Sequence, residues 1–325
     1  MIGTFRYWWS MLPAPLKLLR PGDWAKNAFV LLPAVFWLAG EGRGATPELV
    51  QEQLFRVALT VVAFSMAGSG FYAINDALDA EEDRKHPTKR RRPVASGRIS
   101  PGAATALGVA LVIGSAFVAW GVRPAVLGVI LVYIAMQVAY NAKLKRVRLL
   151  DVITVASGFV LRAMAGALAL SIAVSTWLVV VVFALTLFLG FVKRLGDLRA
   201  ADLARAKGDS TDWKPRAGYD SADDLNWLLA TTGSLTMMAY LVYSLSDHAR
   251  GIFGVRATGF ALLAPLVFVV IHRLYLRANS GRAESPVTVV LGDRSALAAT
   301  ILFVAGVLAV LFWPPAEAAL GALFK

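Results

Sequence analysis

Residues 53–83 read QLFRVALTVVAFSMAGSGFYAINDALDAEED. From 53 to 74 the stretch is mostly apolar, with Arg56 its one charged residue, and it is long enough to cross a hydrocarbon core ~30 Å thick, which takes about 17–25 residues. It then changes character at once. Asn75 and five acids, Asp76, Asp79, Glu81, Glu82 and Asp83, follow within nine positions. A bilayer-spanning helix that ends in an acidic cluster is the element from which the rest of the chain is read.

Outward from this stretch, comparable apolar runs lie near 25–41, 102–121, 124–141, 150–171, 176–193, 225–245, 253–271 and 296–314, about nine spans in all. Composition agrees: 58% of the 325 residues are hydrophobic and only 17% charged, a balance that excludes an ordinary soluble domain. The expected fold is an all-α integral membrane bundle of about nine transmembrane helices, a single domain over 1–325, with no low-complexity linker. The residues ahead of the first run contain Trp8, Trp9, Pro13, Pro15 and Pro21 and no small-residue cleavage site, which argues for an interfacial start rather than a cleaved signal peptide.

The formal net charge is +12, and its placement is lopsided. Cations crowd the N-terminal stretch (Arg6, Lys17, Arg20, Lys26) and alternate loops, including 84–98, 143–148, 193–216 and 273–294. The opposite loops carry scattered ones such as Arg43, Arg123 and Arg250. By the positive-inside rule this places the N-terminus and the long polar loops, 75–101 and 193–224, in the cytoplasm. The charge is thereby accounted for without a nucleic-acid partner. The expected location is the inner (plasma) membrane, with the active site on its cytoplasmic face. With no cysteine in the chain, thiolate chemistry and Cys-ligated metals are excluded. His86, His248 and His272 are too scattered for a metal triad.

If the helix continues to Asp83, then Asp76, Asp79 and Asp83 fall at i, i+3 and i+7 on one face, with Asn75 a turn before Asp79, while Glu81 and Glu82 point elsewhere. Clustered carboxylates repel unless a cation offsets them, and hard oxygen ligands are what Mg²⁺ takes. The alternative is a solvated loop whose acids pair with Arg84, Lys85 and Arg90 to Arg92. In the metal reading, those following cations grip the phosphate oxygens that the metal leaves free. Arg suits bidentate contacts and Lys acts as a point charge.

The pattern N-D-x-x-D-x-x-x-D followed by R-R-P-V-x-S-G resembles the first aspartate-rich motif of the UbiA-type intramembrane prenyltransferase superfamily. The insert H-P-T-K-R, from His86 to Arg90, is similar to the decaprenyl-phosphate phosphoribosyltransferase branch. So are L-R-P-G-D-W-A-K-N (Leu19 to Asn27), Y-N-A-K-L-K and L-L-D-V (Tyr140 to Val152), L-R-A-M-A-G (Leu161 to Gly166) and E-S-P-V-T-V-V-L-G-D-R (Glu284 to Arg294). The resemblance implies nine transmembrane helices and a transfer of phosphoribose from phosphoribosyl pyrophosphate to a polyprenyl phosphate. It further implies that Asn75, Asp76, Asp79 and Asp83 hold Mg²⁺ against the leaving diphosphate. Lys26, Arg84, Lys89, Arg90, Arg92, Tyr140, Lys143 and Arg194 are then candidate substrate contacts.

Lys193 and Asp197, at i, i+4 in the sixth–seventh loop, share a helix face; the first is a candidate catalytic residue and the second a substrate contact, with an interfacial ion pair as the alternative. Here the chain departs from its kin, for Asp197 replaces a Glu. The superfamily's commoner second motif, D-x-x-x-D, is also absent, since Asp202 follows Asp197 by five positions. That departure weighs against the main alternative, a prenyltransferase acting on an aromatic acceptor, and leaves the ligands of a second metal unassigned. Arg162 lies a dozen residues into the fifth span, where an unpaired cation costs about 2.5 kcal/mol or more, so it is expected to face the bundle interior with a partner, either the lipid phosphate or an internal group. A transporter predicts ionisable residues near the midplane. Here the acids gather at one edge. Oligomeric assembly is left open.

Overall fold

The computed structural model describes residues 13–85, 89–206, 216–281 and 286–324. His86 to Thr88 of the insert, Glu284 and Ser285 of the last motif, and Trp8 and Trp9 lie outside the described residues. Every described regular element is helical.

Among the described residues, eight helices are long and apolar enough to cross a membrane: Pro47–Leu78, Pro101–Val122, Pro124–Ala142, Leu150–Ala169, Thr176–Ala206, Ala222–Leu245, Arg256–Asn279 and Arg294–Phe312. The run near 25–41 forms a twelve-residue α-helix, Ala28–Ala39, with Pro33 inside it, after a 3₁₀ stretch at Pro21–Asn27. That helix alone is shorter than a bilayer requires. Large apolar side chains face outward in numbers, among them Phe55, Phe117, Trp120, Ile301 and Leu302. In lipid such exposure costs nothing, which is why a chain this apolar need not bury them.

The chain divides into two compact units. The first gathers the described residues of Met1–Ala34, Thr46–Ala142 and Leu161–Val174. Its longest helix, Pro47–Leu78, starts where the Thr46 hydroxyl accepts from the Leu49 N–H, with Pro47 at the first helical position. At 1.5 Å per residue its 32 residues run to roughly 48 Å, well beyond a hydrocarbon core. The acidic end therefore projects past the apolar stretch. Pro101–Val122 packs along this helix at two glycines. A Cβ on Gly70 would lie 2.7 Å from the Gly108 carbonyl oxygen, and one on Gly108 would lie 2.6 Å from Ile74. Lipid gives no hydrophobic drive between helices, so such close backbone approach is what their association rests on.

At the acidic end, Leu18, Ala73, Ala80, Val94 and Ala104 form a small buried cluster. Val94 folds the chain after the basic run back onto the helix end. That fold positions Arg92, two residues earlier.

The second unit gathers Val35–Ala45, Lys143–Val160 and the described residues of Ser175–Lys325. The 31-residue helix Thr176–Ala206 supplies Phe188, Phe191, Val192, Leu195 and Leu198 to its core, where they meet Val152, Tyr219, Leu225, Leu229 and Leu274. Their spacing of three and four keeps one face of the helix buried and turns Lys193 outward.

Candidate functional site

In the first unit the helix does not pass unbroken through the aspartates. Pro47–Leu78 ends at Asp79 (φ −90°, ψ 6°), and Ala80–Lys85 forms a separate turn of helix. The path is nevertheless nearly helical: the Asp79 N–H donates to the Asn75 carbonyl at 2.9 Å, and the Asp83 N–H to the Asp79 carbonyl at 2.8 Å. The expected shared face of Asp76 and Asp83 survives the break. Both are buried, 2% and 3% exposed, while Glu81 and Glu82 are exposed.

Two buried carboxylates need cations, and the chain supplies its own. Arg92 Nη1 lies 2.6 Å from Asp83 Oδ2 and 3.2 Å from Asp76 Oδ1; Arg20 Nη2 lies 2.6 Å from that same Asp76 oxygen. Lys89 Nζ stands 3.9 Å from Asp83. Arg20 also stacks over the Tyr72 ring at 4.6 Å. Asp79 is half-buried, and among the described residues its carboxylate accepts no hydrogen bond and makes no ion pair. Arg84 is exposed and its Nε donates to the Ala95 carbonyl at 3.3 Å; Arg90 is exposed. Arg92, read from sequence as a phosphate ligand, thus begins as the bridge between two acids. Arg20 was missed as a site residue, although it stands in the quoted L-R-P-G-D-W stretch.

The donor set can be weighed against a metal. Among the described residues no three Asp, Glu or His side chains are gathered closely enough to hold an ion. Even so, Asp76 and Asp83 converge on one positive charge, that of Arg92, and they and Asp79 offer hard oxygen atoms of the kind Mg²⁺ takes. The chemistry of the donor set is compatible with a divalent cation.

Below the acids, on the same unit, lies a small polar pocket, lined in part by Trp24, Lys26, Asn27, Ser69, Tyr72 and Arg162. Arg162 faces the interior, as a cation in a span must. Its Nε donates to Asn27 Oδ1 at 2.7 Å and its Nη2 to the Tyr133 hydroxyl at 3.0 Å, and its guanidinium lies over the Tyr133 and Phe64 rings at 4.8 and 5.1 Å. Lys26 Nζ sits 2.5 Å from Asp23 and 3.1 Å from the Tyr72 hydroxyl. Tyr140, half-buried, lies in the last turn of the Pro124–Ala142 helix of this unit.

In the second unit, Arg194 Nη2 lies 2.8 Å from Asp151 Oδ2, and Arg194 Nη1 lies 3.7 Å from Asp197. Asp151 is fully buried. The Tyr219 hydroxyl donates to Asp151 Oδ1 at 2.8 Å and accepts from the Leu149 N–H at 3.0 Å. Burial, and the hydrogen bond to Asp151, push the Tyr219 hydroxyl well above the ordinary tyrosine range. Arg194 is therefore tied to an acid within its own unit, and Asp151 and Tyr219, which sequence did not single out, organise it. Lys143 and Lys193 are exposed.

Comparison with known proteins agrees with this architecture. The model of the UbiA prenyltransferase family matches residues 28–287. The decaprenyl-phosphate phosphoribosyltransferase of Mycolicibacterium smegmatis is 32% identical over 289 residues, 88% of this chain and 88% of that one. The Corynebacterium glutamicum protein of the same name is 36% identical over 242 residues, 72% of this chain and 68% of that one. A UbiA homolog from Archaeoglobus fulgidus, solved bound to GPP and Mg²⁺, superposes with a TM-score of 0.65 at 18% identity, covering 92% of this chain and 99% of that one. The last likeness speaks for the fold. Taken with the membrane-spanning helices and the buried aspartates at the end of one of them, these matches show that the chain belongs to the UbiA prenyltransferase family.

Proposed function

We propose that the chain transfers 5-phosphoribose from phosphoribosyl pyrophosphate to a polyprenyl phosphate and releases diphosphate. The observation that carries this reading is the pair Asp76 and Asp83, buried yet bridged by Arg92 and backed by Arg20. Two acids and two arginines at the end of a spanning helix form a site in which a polyanion and its counter-cation can exchange places with internal ion pairs. Relatives named for phosphoribosyl transfer to decaprenyl phosphate, aligned over most of the chain, support the choice of substrates.

Asn75, Asp76, Asp79 and Asp83 are the residues we assign to Mg²⁺, which when bound offsets the charge of the diphosphate as it departs. The chain's own groups do the rest. Arg92, displaced from the acids, and Arg20, Lys89, Arg90 and Arg84 hold diphosphate oxygens. The lipid phosphate oxygen attacks the anomeric carbon, the bond from that carbon to the diphosphate breaks, and its electron pair leaves on the diphosphate. The nucleophile is already anionic, so positioning matters more than a general base. We assign Lys193, Arg194 and Asp197, with Tyr140 and Lys143, to substrate contact. The site faces the cytoplasm of the inner membrane, the N-terminus lies on that same side, and the chain works as one transmembrane domain.

The test is direct. Purified protein is incubated with phosphoribosyl pyrophosphate labelled in the ribose, polyprenyl phosphate and Mg²⁺. Label in the lipid fraction, lost on chelation and regained with Mg²⁺, is expected. No labelled lipid here, with prenylation of an aromatic acceptor in a parallel incubation given polyprenyl diphosphate, would sink the assignment.

A further inference from the structure

We propose that the pocket below the aspartate cluster is a binding site for a phosphate monoester, gripped by Arg162 at its base and Lys26 at its mouth. The proposal rests on the phosphoribosyl-transfer reading for its two candidate ligands: the 5-phosphate of the donor and the phosphate of the lipid acceptor share this chemistry.

Charge comes first. The pocket holds two cations, Lys26 and Arg162, against one carboxylate, Asp23, which already pairs with Lys26 at 2.5 Å. A cavity within a membrane bundle that keeps a surplus positive charge is suited to an anion. Arg162 is only 8% exposed, and its fork is fixed in direction by Asn27 Oδ1, the Tyr133 hydroxyl and two aromatic faces. These four contacts orient the guanidinium and bring no negative charge. Asn27 is itself held, its Nδ2 donating to Ser65 Oγ at 2.8 Å, and the Tyr133 hydroxyl also accepts from Gln137 at 2.9 Å. A guanidinium fixed in this way suits the tetrahedral oxygens of a phosphate.

Position comes second. Ser65, Ser69, Tyr72 and Asp76 succeed one another at steps of four, three and four along one face of Pro47–Leu78, so the pocket wall and the aspartate cluster lie on one line. By helix rise, Tyr72 lies about 6 Å and Ser69 about 10 Å below Asp76. That is the scale of one sugar ring. A donor whose diphosphate rests at Asp76 and Asp83 can place its 5-phosphate in the pocket without leaving the helix face.

The experiment uses the full chain in lipid nanodiscs and measures binding calorimetrically, without turnover. The probes are ribose 5-phosphate, ribose, geranyl phosphate and, as a separate report on the aspartate cluster, inorganic diphosphate with Mg²⁺. Ribose 5-phosphate is expected to bind at least about tenfold more tightly than ribose, and Lys26→Gln and Arg162→Gln each to weaken it by about tenfold while diphosphate affinity holds. The same loss on geranyl phosphate instead of ribose 5-phosphate supports the pocket and assigns it to the lipid's phosphate. Unchanged affinity for both monoesters in the two variants overturns the proposal. Should Arg162→Gln fail to fold, Lys26→Gln, whose side chain is 43% exposed at the mouth, decides alone. A protein that binds a monoester through these residues yet makes no phosphoribosyl lipid refutes the transfer reading and leaves the pocket standing.

Discussion

Arg92 is the residue on which the acidic cluster turns. It joins Asp76 to Asp83, and removing one partner of a buried ion pair is more damaging than replacing both. Arg92→Ala should therefore destabilise the protein by about 3 kcal/mol, with Mg²⁺ restoring more thermal stability to the variant than it adds to the native protein; thermal unfolding with and without Mg²⁺ measures both, and equal Mg²⁺ shifts would count against a cation site there. Asp76→Asn and Asp83→Asn should each lower transfer by about 100-fold or more while the helical circular-dichroism signal persists. The spacing of Asp76, Asp79 and Asp83 was legible from the sequence, because helical periodicity is a local property. Arg20 was not, since a partner 56 positions away is set by packing and leaves no periodic trace. Asp151 escaped for the same reason: it reads as one acid at the start of an apolar run until Arg194 and Tyr219 fold against it.

Among the elements, the contact of Pro47–Leu78 with Pro101–Val122 is the most sharply constrained. Gly70 and Gly108 leave no room for a Cβ, so Gly108→Val should cost about 1–3 kcal/mol by overpacking, read as a lowered unfolding temperature; an unchanged one would show that the helices are not held at this distance. The Arg294–Phe312 helix gives a pH-dependent case. Its N-cap, Asp293, accepts from Arg273 at 3.1 and 2.6 Å and from the Ala296 N–H at 2.9 Å. The Arg273 hydrogen bond first, opposed by burial and reinforced by that backbone bond, holds the Asp293 carboxyl below the usual range. A depressed acid contributes stability above its unfolded value, near pH 4, and loses it as pH falls through the folded one. The stability difference between the native protein and Asp293→Asn should thus be level near neutrality and shrink below about pH 4, as thermal melts across pH would record. Apolar runs marked most of these helices correctly. Two features were hidden: the break at Asp79, and the shortness of Ala28–Ala39, where an apolar run that reads as a span includes a 3₁₀ stretch and an internal proline.

For the whole molecule, the lopsided cations predict an orientation that the absence of cysteine makes easy to test. In intact cells, a membrane-impermeant thiol reagent should label Gly121→Cys, where open space surrounds the position, and leave the exposed Ser96→Cys untouched until the membrane is permeabilised. The reverse pattern would invert the topology. Membrane character and family were both legible from sequence, the first from hydropathy and the second from five short motifs in order. The ion pairs of Arg20 with Asp76 and of Arg194 with Asp151 were not, because each joins segments far apart in the chain. The account's central claim concerns which group moves to which lipid. Mass analysis of the lipid product formed from phosphoribosyl pyrophosphate and polyprenyl phosphate tests it most directly. The account predicts intact polyprenyl phosphate bearing one added phosphoribosyl group, formed with Mg²⁺ and absent in Asp83→Asn; polyprenyl phosphate recovered unmodified from the native protein with Mg²⁺ would contradict it.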